Sequence, residues 1–129
     1  MSEPRWLPAG FFRAAQVRLV REYGGRFGLR DDAALEAVVR RPCDKHQHGV
    51  GDLGPLAAGY GFVLVRRHPF RGANKRLALA AMYSFLRING REFAAPEPEA
   101  VAVLRRVADG DMLEGELGDW VSGHLRPGG

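Results

Sequence analysis

The sequence has little cysteine and no long apolar run, and both shortages exclude classes of protein. One cysteine in 129 residues excludes an internal disulfide framework. No apolar stretch approaches the roughly 20 residues that a membrane-spanning helix needs. The N-terminal residues Met1-Ser2-Glu3-Pro4 also lack the basic and then apolar pattern of a secretory signal. We therefore expect a cytoplasmic protein that does not enter a membrane.

Lysine is scarce as well, and nearly all of the positive charge is carried by arginine. Lys45 and Lys75 are the only lysines among 19 basic residues, and the formal net charge is +4. A basic balance is compatible with nucleic-acid binding. The arginines are scattered over several segments, however, and the richness in alanine, glycine and arginine is typical of a GC-rich coding sequence. Nucleic acid therefore ranks last among the partners considered.

The residues that are present indicate one helical domain over residues 1–129. A hydrophobic fraction of 46% is that of a globular protein. Apolar residues recur at helical spacing in successive segments. The six segments are 11–23, Asp31 to Pro42, Leu53 to Arg67, Arg76 to Ile88, Pro96 to Asp109, and Leu113 to Leu125, and Pro42 is expected to stop the second. The pattern predicts an all-α fold, a compact bundle of about six helices.

Residues 41–52 interrupt this helical pattern. They are polar and contain glycine, and they include Pro42, which we expect to end the second helix. We predict an exposed loop or a short hairpin here, which would form a small flap on the bundle.

One stretch between two strongly apolar segments carries the residues suited to chemistry. It reads His68-Pro69-Phe70-Arg71-Gly72-Ala73-Asn74-Lys75-Arg76. Pro69 disfavours helical geometry at His68, so the preceding helix should end there. Phe70 is predicted to anchor the loop in the core. Gly72 and Ala73 are small enough to let a ligand approach the backbone.

The helix that follows this stretch begins with features that suit a phosphate group. Its first turn exposes backbone N–H groups and the positive end of the helix dipole. Lys75 and Arg76 are unfavourable at that position unless an anion is bound. With His68 as a general base and Asn74 as a further donor, the set suits transfer of a phosphorus-containing group.

This stretch resembles the motif of the Fic/Doc family, which reads His, any, Phe, any, acidic, Gly or Ala, Asn, Gly or Lys, Arg. The positions that match are His68, Phe70, Ala73, Asn74, Lys75 and Arg76. Lys75 and Leu79 are similar to the Doc branch, whereas AMP-transferring members usually have glycine and a second arginine. The flanking residues 23–31 and 85–90 are also similar, so the likeness is expected to cover most of the chain from about Phe11 onward.

The resemblance implies a Doc-like toxin of a toxin–antitoxin pair. Such a toxin transfers a phosphoryl group from ATP, with Mg²⁺, to a hydroxyl of a translation protein such as elongation factor Tu. It implies that His68 is the general base and that residues 41–52 lie near the flap that docks the target. It also implies a set of nucleotide-binding residues, namely Gly72, Ala73, Asn74, Lys75 and Arg76. AMP transfer is the alternative within the enzyme class.

Gly72 departs from the family pattern, because it stands where the family has an acidic residue that helps to hold Mg²⁺. Glycine offers no ligand to a metal. Three hypotheses remain open: another carboxylate compensates, the chain binds nucleotide with weak or no catalysis, or it is an inactive variant of a toxic parent. Under the second hypothesis, the chain is a nucleotide-binding or interaction module rather than an enzyme.

The sequence has no threonine, which bears on inhibition. Many Fic proteins inhibit themselves through Ser or Thr followed four residues later by Glu. Here the residues four places after each serine are Trp6, Ile88 and Arg126. The resemblance therefore implies that an antitoxin protein acts in trans.

Two other patterns have simpler interpretations. Cys43, Asp44, His46 and His48 could be considered metal ligands, but Cys-x-x-His-x-His is not a usual closed zinc pattern, so we predict no metal site there. Tyr60 and Trp120 are interpreted as core or interface aromatics.

Overall fold

The computed structural model describes residues 3–128 and contains six α-helices and two short strands within them. The order is α1 (Ala9–Tyr23), α2 (Asp32–Gln47), α3 (Leu53–Arg67), α4 (Asn74–Ile88), β1 (Arg91–Phe93), α5 (Glu97–Ala108), α6 (Glu114–Ser122) and β2 (Leu125–Pro127). The predicted all-α class is confirmed. None of the helices in the described range is both long and apolar enough to cross a bilayer.

Helix α3 forms the centre of the core, and its sequence is apolar on most sides. Leu56, Tyr60 and Leu64 are completely buried in it. Two glycines let neighbouring helices approach closely: a Cβ at Gly59 would lie 3.3 Å from Pro42 Cγ, and one at Gly61 would lie 2.7 Å from the sulfur of Met82. The predicted role of Tyr60 as a core aromatic is confirmed, and its hydroxyl accepts a hydrogen bond from the Leu7 N–H at 3.0 Å.

The prediction for residues 41–52 is wrong over most of its length. Helix α2 continues through Pro42 to Gln47, and the connection to α3 comes only after it. Proline removes one backbone donor and usually breaks a helix. Here the Pro42 ring is buried against Gly59 of α3, and this packing keeps the proline inside the helix. Residues 41–47 therefore do not form a flap.

Helices α2 and α6 are joined by an ion-pair cluster around Glu114. Its carboxylate lies 3.0 Å from Arg41 Nη2 and 2.8 Å from Lys45 Nζ. Burial acts to raise the pKa of Glu114, but hydrogen bonds from the two cations outweigh burial and lower the pKa. The cluster fixes the far end of α2 against α6.

A small sheet closes the C-terminal side of the fold. Strands β1 and β2 pair antiparallel, with Phe93 opposite Leu125. The last helix therefore ends at Ser122, and the predicted continuation to Leu125 is wrong because Leu125 pairs in β2 instead. Trp120 packs edge-on against Phe93, which confirms its interpretation as a packing aromatic.

Candidate functional site

His68 lies at the end of α3 in an uncommon backbone conformation. Its φ and ψ are 50° and 63°, the left-handed region, and the residue is exposed. The Arg30 guanidinium donates to the carbonyls of His68 and Arg67, at 2.9 Å from Nε and 2.8 Å from Nη2 respectively. A cation on the last carbonyls of a helix is favourable. Arg30 therefore ends the helix and holds the His68 backbone in place.

Phe70 and Asn74 shape the loop that follows. Phe70 is 3% exposed, which confirms the predicted anchor. The Asn74 side chain is also buried; its Oδ1 accepts from the Phe70 N–H at 3.1 Å and its Nδ2 donates to the Phe70 carbonyl at 2.9 Å. The structure thus gives Asn74 a role in holding the loop. Phosphate binding by Asn74 stays a prediction.

Helix α4 begins at Asn74 after an N-cap residue that offers no side-chain acceptor. Ala73 has φ 65° and ψ 16°, also in the left-handed region. Because alanine cannot accept a hydrogen bond through its side chain, it does not satisfy the backbone N–H groups of the first turn. The first turn contains Lys75 and Arg76, both exposed, and no acidic residue. This end of α4 is positively charged and suited to an anion.

An apolar groove lies beside these two cations. It has a volume of about 410 Å³ and is lined by Lys75, Arg76 and residues of α1, α4 and α5, including Leu19, Tyr23, Leu79, Tyr83, Val101 and Leu104. Tyr23 is 53% exposed, and the Arg76 Cζ atom lies 4.0 Å from its ring centroid. Tyr23 therefore holds Arg76 at the rim of the groove by a cation–π contact.

A buried polar residue beneath the motif, Gln16, was not predicted from the sequence. Gln16 is 1% exposed, and its Nε2 donates to the carbonyls of Arg26 at 2.9 Å and Gly72 at 3.2 Å. Its Oε1 accepts from the Gly28 N–H at 3.4 Å. The signal was present in the sequence, because Gln16 falls four residues from both Phe12 and Val20 on the buried face of α1, where a polar residue needs partners.

Residues 26–31, here called the clamp segment, run alongside the motif loop. The Arg71 N–H donates to the Gly28 carbonyl at 2.9 Å, and the Arg30 N–H donates to the Pro69 carbonyl at 2.8 Å. Leu29 and Phe70 form an isolated β-bridge. The clamp segment thus holds the motif loop through main-chain hydrogen bonds, and Gln16 holds it through its side-chain amide.

The residues of this site do not fit the Mg²⁺ that the family motif implies. Gly72 provides no ligand, and a Cβ there would lie 2.8 Å from the Arg26 nitrogen and 3.0 Å from its oxygen. The Asp31 carboxylate caps α2, with its Oδ1 accepting from the Ala34 N–H at 3.0 Å. Within residues 3–128 there is no group of three His, Cys, Asp or Glu side chains placed to hold a metal, and this includes the region of Cys43, Asp44, His46 and His48.

These features define a class of small helical domain in which a histidine-bearing loop leads into a cationic helix N-terminus. A family model described as the Fic/DOC family matches residues 6–86, and the chain belongs to that family. The match begins before Phe11 and covers most of the chain, as expected, and it ends at residue 86 within the flanking residues 85–90.

The curated relatives carry the name Doc. The chain is 36% identical over 80 residues to Protein kinase doc of Escherichia phage P1, an alignment that covers 60% of this chain and 64% of that protein. It is 40% identical over 76 residues to Toxin Doc of Mycolicibacterium smegmatis (strain ATCC 700084 / mc(2)155), covering 57% of this chain and 58% of that protein. The alignments thus span less than two thirds of either relative.

Proposed function

We propose that this chain is a Doc-like toxin that transfers the γ-phosphoryl group of ATP to a hydroxyl of a translation protein, such as elongation factor Tu, in the cytoplasm. The observation that carries this proposal is the N-terminus of α4, where exposed Lys75 and Arg76 follow directly on the loop that begins at His68. The names of the relatives, a kinase and a toxin, support the same activity.

In this mechanism the imidazole of His68 accepts the proton of the attacking hydroxyl. The hydroxyl oxygen then forms a bond to the γ-phosphorus, and the bond from that phosphorus to the β–γ bridging oxygen breaks. ADP leaves with the electron pair. The N–H groups of the first turn of α4, with Lys75 and Arg76, stabilise the negative charge on the phosphate oxygens. A positioned general base typically contributes about 10²- to 10⁴-fold to such a rate.

A second candidate is a module that binds nucleotide or a partner protein and transfers nothing. Gly72 favours this candidate, because phosphoryl transfer ordinarily relies on a metal to offset phosphate charge. The cationic N-terminus of α4 would then bind a nucleotide or a partner protein without any transfer reaction.

We also propose that a separate antitoxin protein inhibits this chain. The groove beside Lys75 and Arg76 supports this, because it exposes Tyr23 and Val101 among apolar neighbours. An amphipathic segment that folds on binding would bury these side chains and cover the two cations. Val101→Asn, which adds no charge to the groove lined by Lys75 and Arg76, should weaken inhibition by such a segment and leave phosphate binding unchanged.

The test is transfer from ATP that carries one label on the γ-phosphate and another on adenine, with purified elongation factor Tu and with a cell extract. His68→Asn is the matched variant, since asparagine tolerates the left-handed conformation better than alanine does. We expect the γ label alone to reach protein and to be lost in His68→Asn. Transfer of the adenine label would assign AMP transfer instead. ATP binding without transfer of either label would support the binding module.

A further inference from the structure

The position that carries the metal-binding carboxylate in the family motif is closed by backbone in this chain. A Cβ at Gly72 would meet both the nitrogen and the oxygen of Arg26 within 3.0 Å. Both atoms belong to the main chain, so no side-chain rotation relieves the contact. A carboxylate at position 72 would require the clamp segment to move. Gly72 is therefore required by this placement of the clamp segment, and it is also the missing ligand.

The clamp segment is held where it blocks that position. Gln16 bonds to Arg26, Gly28 and Gly72 at once, and its side chain is buried. Gly28 has φ 104°, a conformation that suits glycine, and a Cβ there would lie 3.8 Å from the Arg71 side chain. The close approach of the two segments is thus built from several independent contacts.

The charged side chains of the motif itself are positive, and the adjacent groove has one carboxylate, Glu97, in its lining. Arg71, Lys75 and Arg76 are exposed, and the motif from His68 to Arg76 contains no acidic residue. A carboxylate together with a bound divalent cation contributes a single net positive charge. Losing both therefore lowers the local charge by one unit, whereas losing the metal alone would lower it by two. The remaining cations and the N-terminus of α4 are still available to a polyphosphate.

We propose that the phosphate site of this chain works without a divalent cation, because the clamp segment occupies the space of the metal-binding carboxylate. This inference rests on the proposed function, since it concerns the same phosphate site. The ligand class is a nucleoside triphosphate, or another polyphosphate, in its metal-free form.

The test is the dissociation constant of the full chain for ATP by titration calorimetry, measured in excess EDTA and again in excess Mg²⁺. Inorganic tripolyphosphate serves as a second probe for the phosphates alone. We expect the affinity in EDTA to lie within about 3-fold of the affinity in Mg²⁺, or to exceed it. Lys75→Ala should weaken binding in both buffers, whereas Arg106→Ala, which removes an exposed arginine of α5, should not.

Binding that needs Mg²⁺, tighter by about 10-fold or more than in EDTA, would overturn the inference and leave the proposed function intact. No binding of ATP in either buffer would overturn the proposed function and the inference with it. Gly72→Asp adds a further check: we expect it to weaken ATP binding in both buffers and to gain nothing from Mg²⁺. A Mg²⁺-dependent gain of about 10-fold in that variant would show that the position is open and would overturn the inference. If Gly72→Asp does not fold, the ATP affinities of the unaltered chain in EDTA and in Mg²⁺ still test the inference.

Discussion

Gln16 offers a direct test of how the motif loop is held. Gln16→Met keeps an unbranched side chain of similar volume, so it removes the amide without opening a cavity. The change leaves the carbonyls of Arg26 and Gly72 and the N–H of Gly28 without this partner. Each of these backbone groups must then find water or remain unpaired.

The magnitude follows from the number and quality of the bonds. Two of the three fall within the ordinary range, at 2.9 and 3.2 Å, and the third is longer, at 3.4 Å. At about 0.5–1.5 kcal/mol for each bond, and with the long one counted least, the expected loss is about 2–3 kcal/mol. That is a large fraction of the total for a domain whose stability is about 5–15 kcal/mol.

The assay is urea unfolding of the unaltered chain, of Gln16→Met and of the control Gln47→Leu. Gln47 is the other glutamine and is exposed at the end of α2, so its replacement should change stability by less than about 0.5 kcal/mol. Gln16→Met should lower the urea midpoint by about 1–2 M. ATP affinity should fall in the same variant, because the Arg26 and Gly72 backbones lose their common partner.

Gln16→Glu tests whether the amide acts as a donor to the two carbonyls. It preserves the shape but places a carboxylate against the two carbonyls, so the loss at neutral pH should exceed that of Gln16→Met. Protonation of the introduced carboxyl at acidic pH restores a donor, and the difference between the two variants should shrink there. If Gln16→Met is as stable as the unaltered chain, the bonds to Arg26 and Gly72 do not hold the motif loop against the clamp segment.

Three further predictions concern other parts of the fold. Glu114→Gln should lower the free energy of unfolding by about 2 kcal/mol at neutral pH, since it weakens two charged hydrogen bonds. Because the pKa of Glu114 is lowered, the contribution of its carboxylate is present above the ordinary value of 4.5 and is lost as the pH falls; a difference of equal size at pH 3 would contradict this. Tyr60→Phe should cost about 1–2 kcal/mol in urea unfolding, because the Leu7 N–H loses its acceptor. Burial raises the pKa of Tyr60 to about 12, so the stability that this hydroxyl provides should be fully present below pH 10 and decline above it. Arg30→Met should lower the transfer rate by about 10-fold with little change in ATP affinity, because it frees the backbone of His68; an unchanged rate would contradict a positioning role.

Local sequence patterns predicted much of the fold. The apolar spacing from Leu53 to Arg67 identified α3 with its observed bounds, and the predicted ends at Ile88 and Asp109 fall on, or one residue beyond, the ends of α4 and α5. These predictions succeeded because helix periodicity and capping depend on residues close together in the chain. Pro42 was misjudged because its tolerance depends on Gly59 of another helix.

The sequence alone also determined the chemical content of the candidate site: a histidine before a proline, an aromatic anchor, and two cations at the start of a helix. It showed that Gly72 lacks a carboxylate. Only the tertiary structure decided why that matters, by bringing the backbone of Arg26 against Gly72 and by joining Gln16 to Gly72 across 56 positions of sequence. The physical reason is that periodicity and motifs record which groups a segment offers. The space around each group is set by elements distant in the chain, and the packing of those elements closed this position to any side chain.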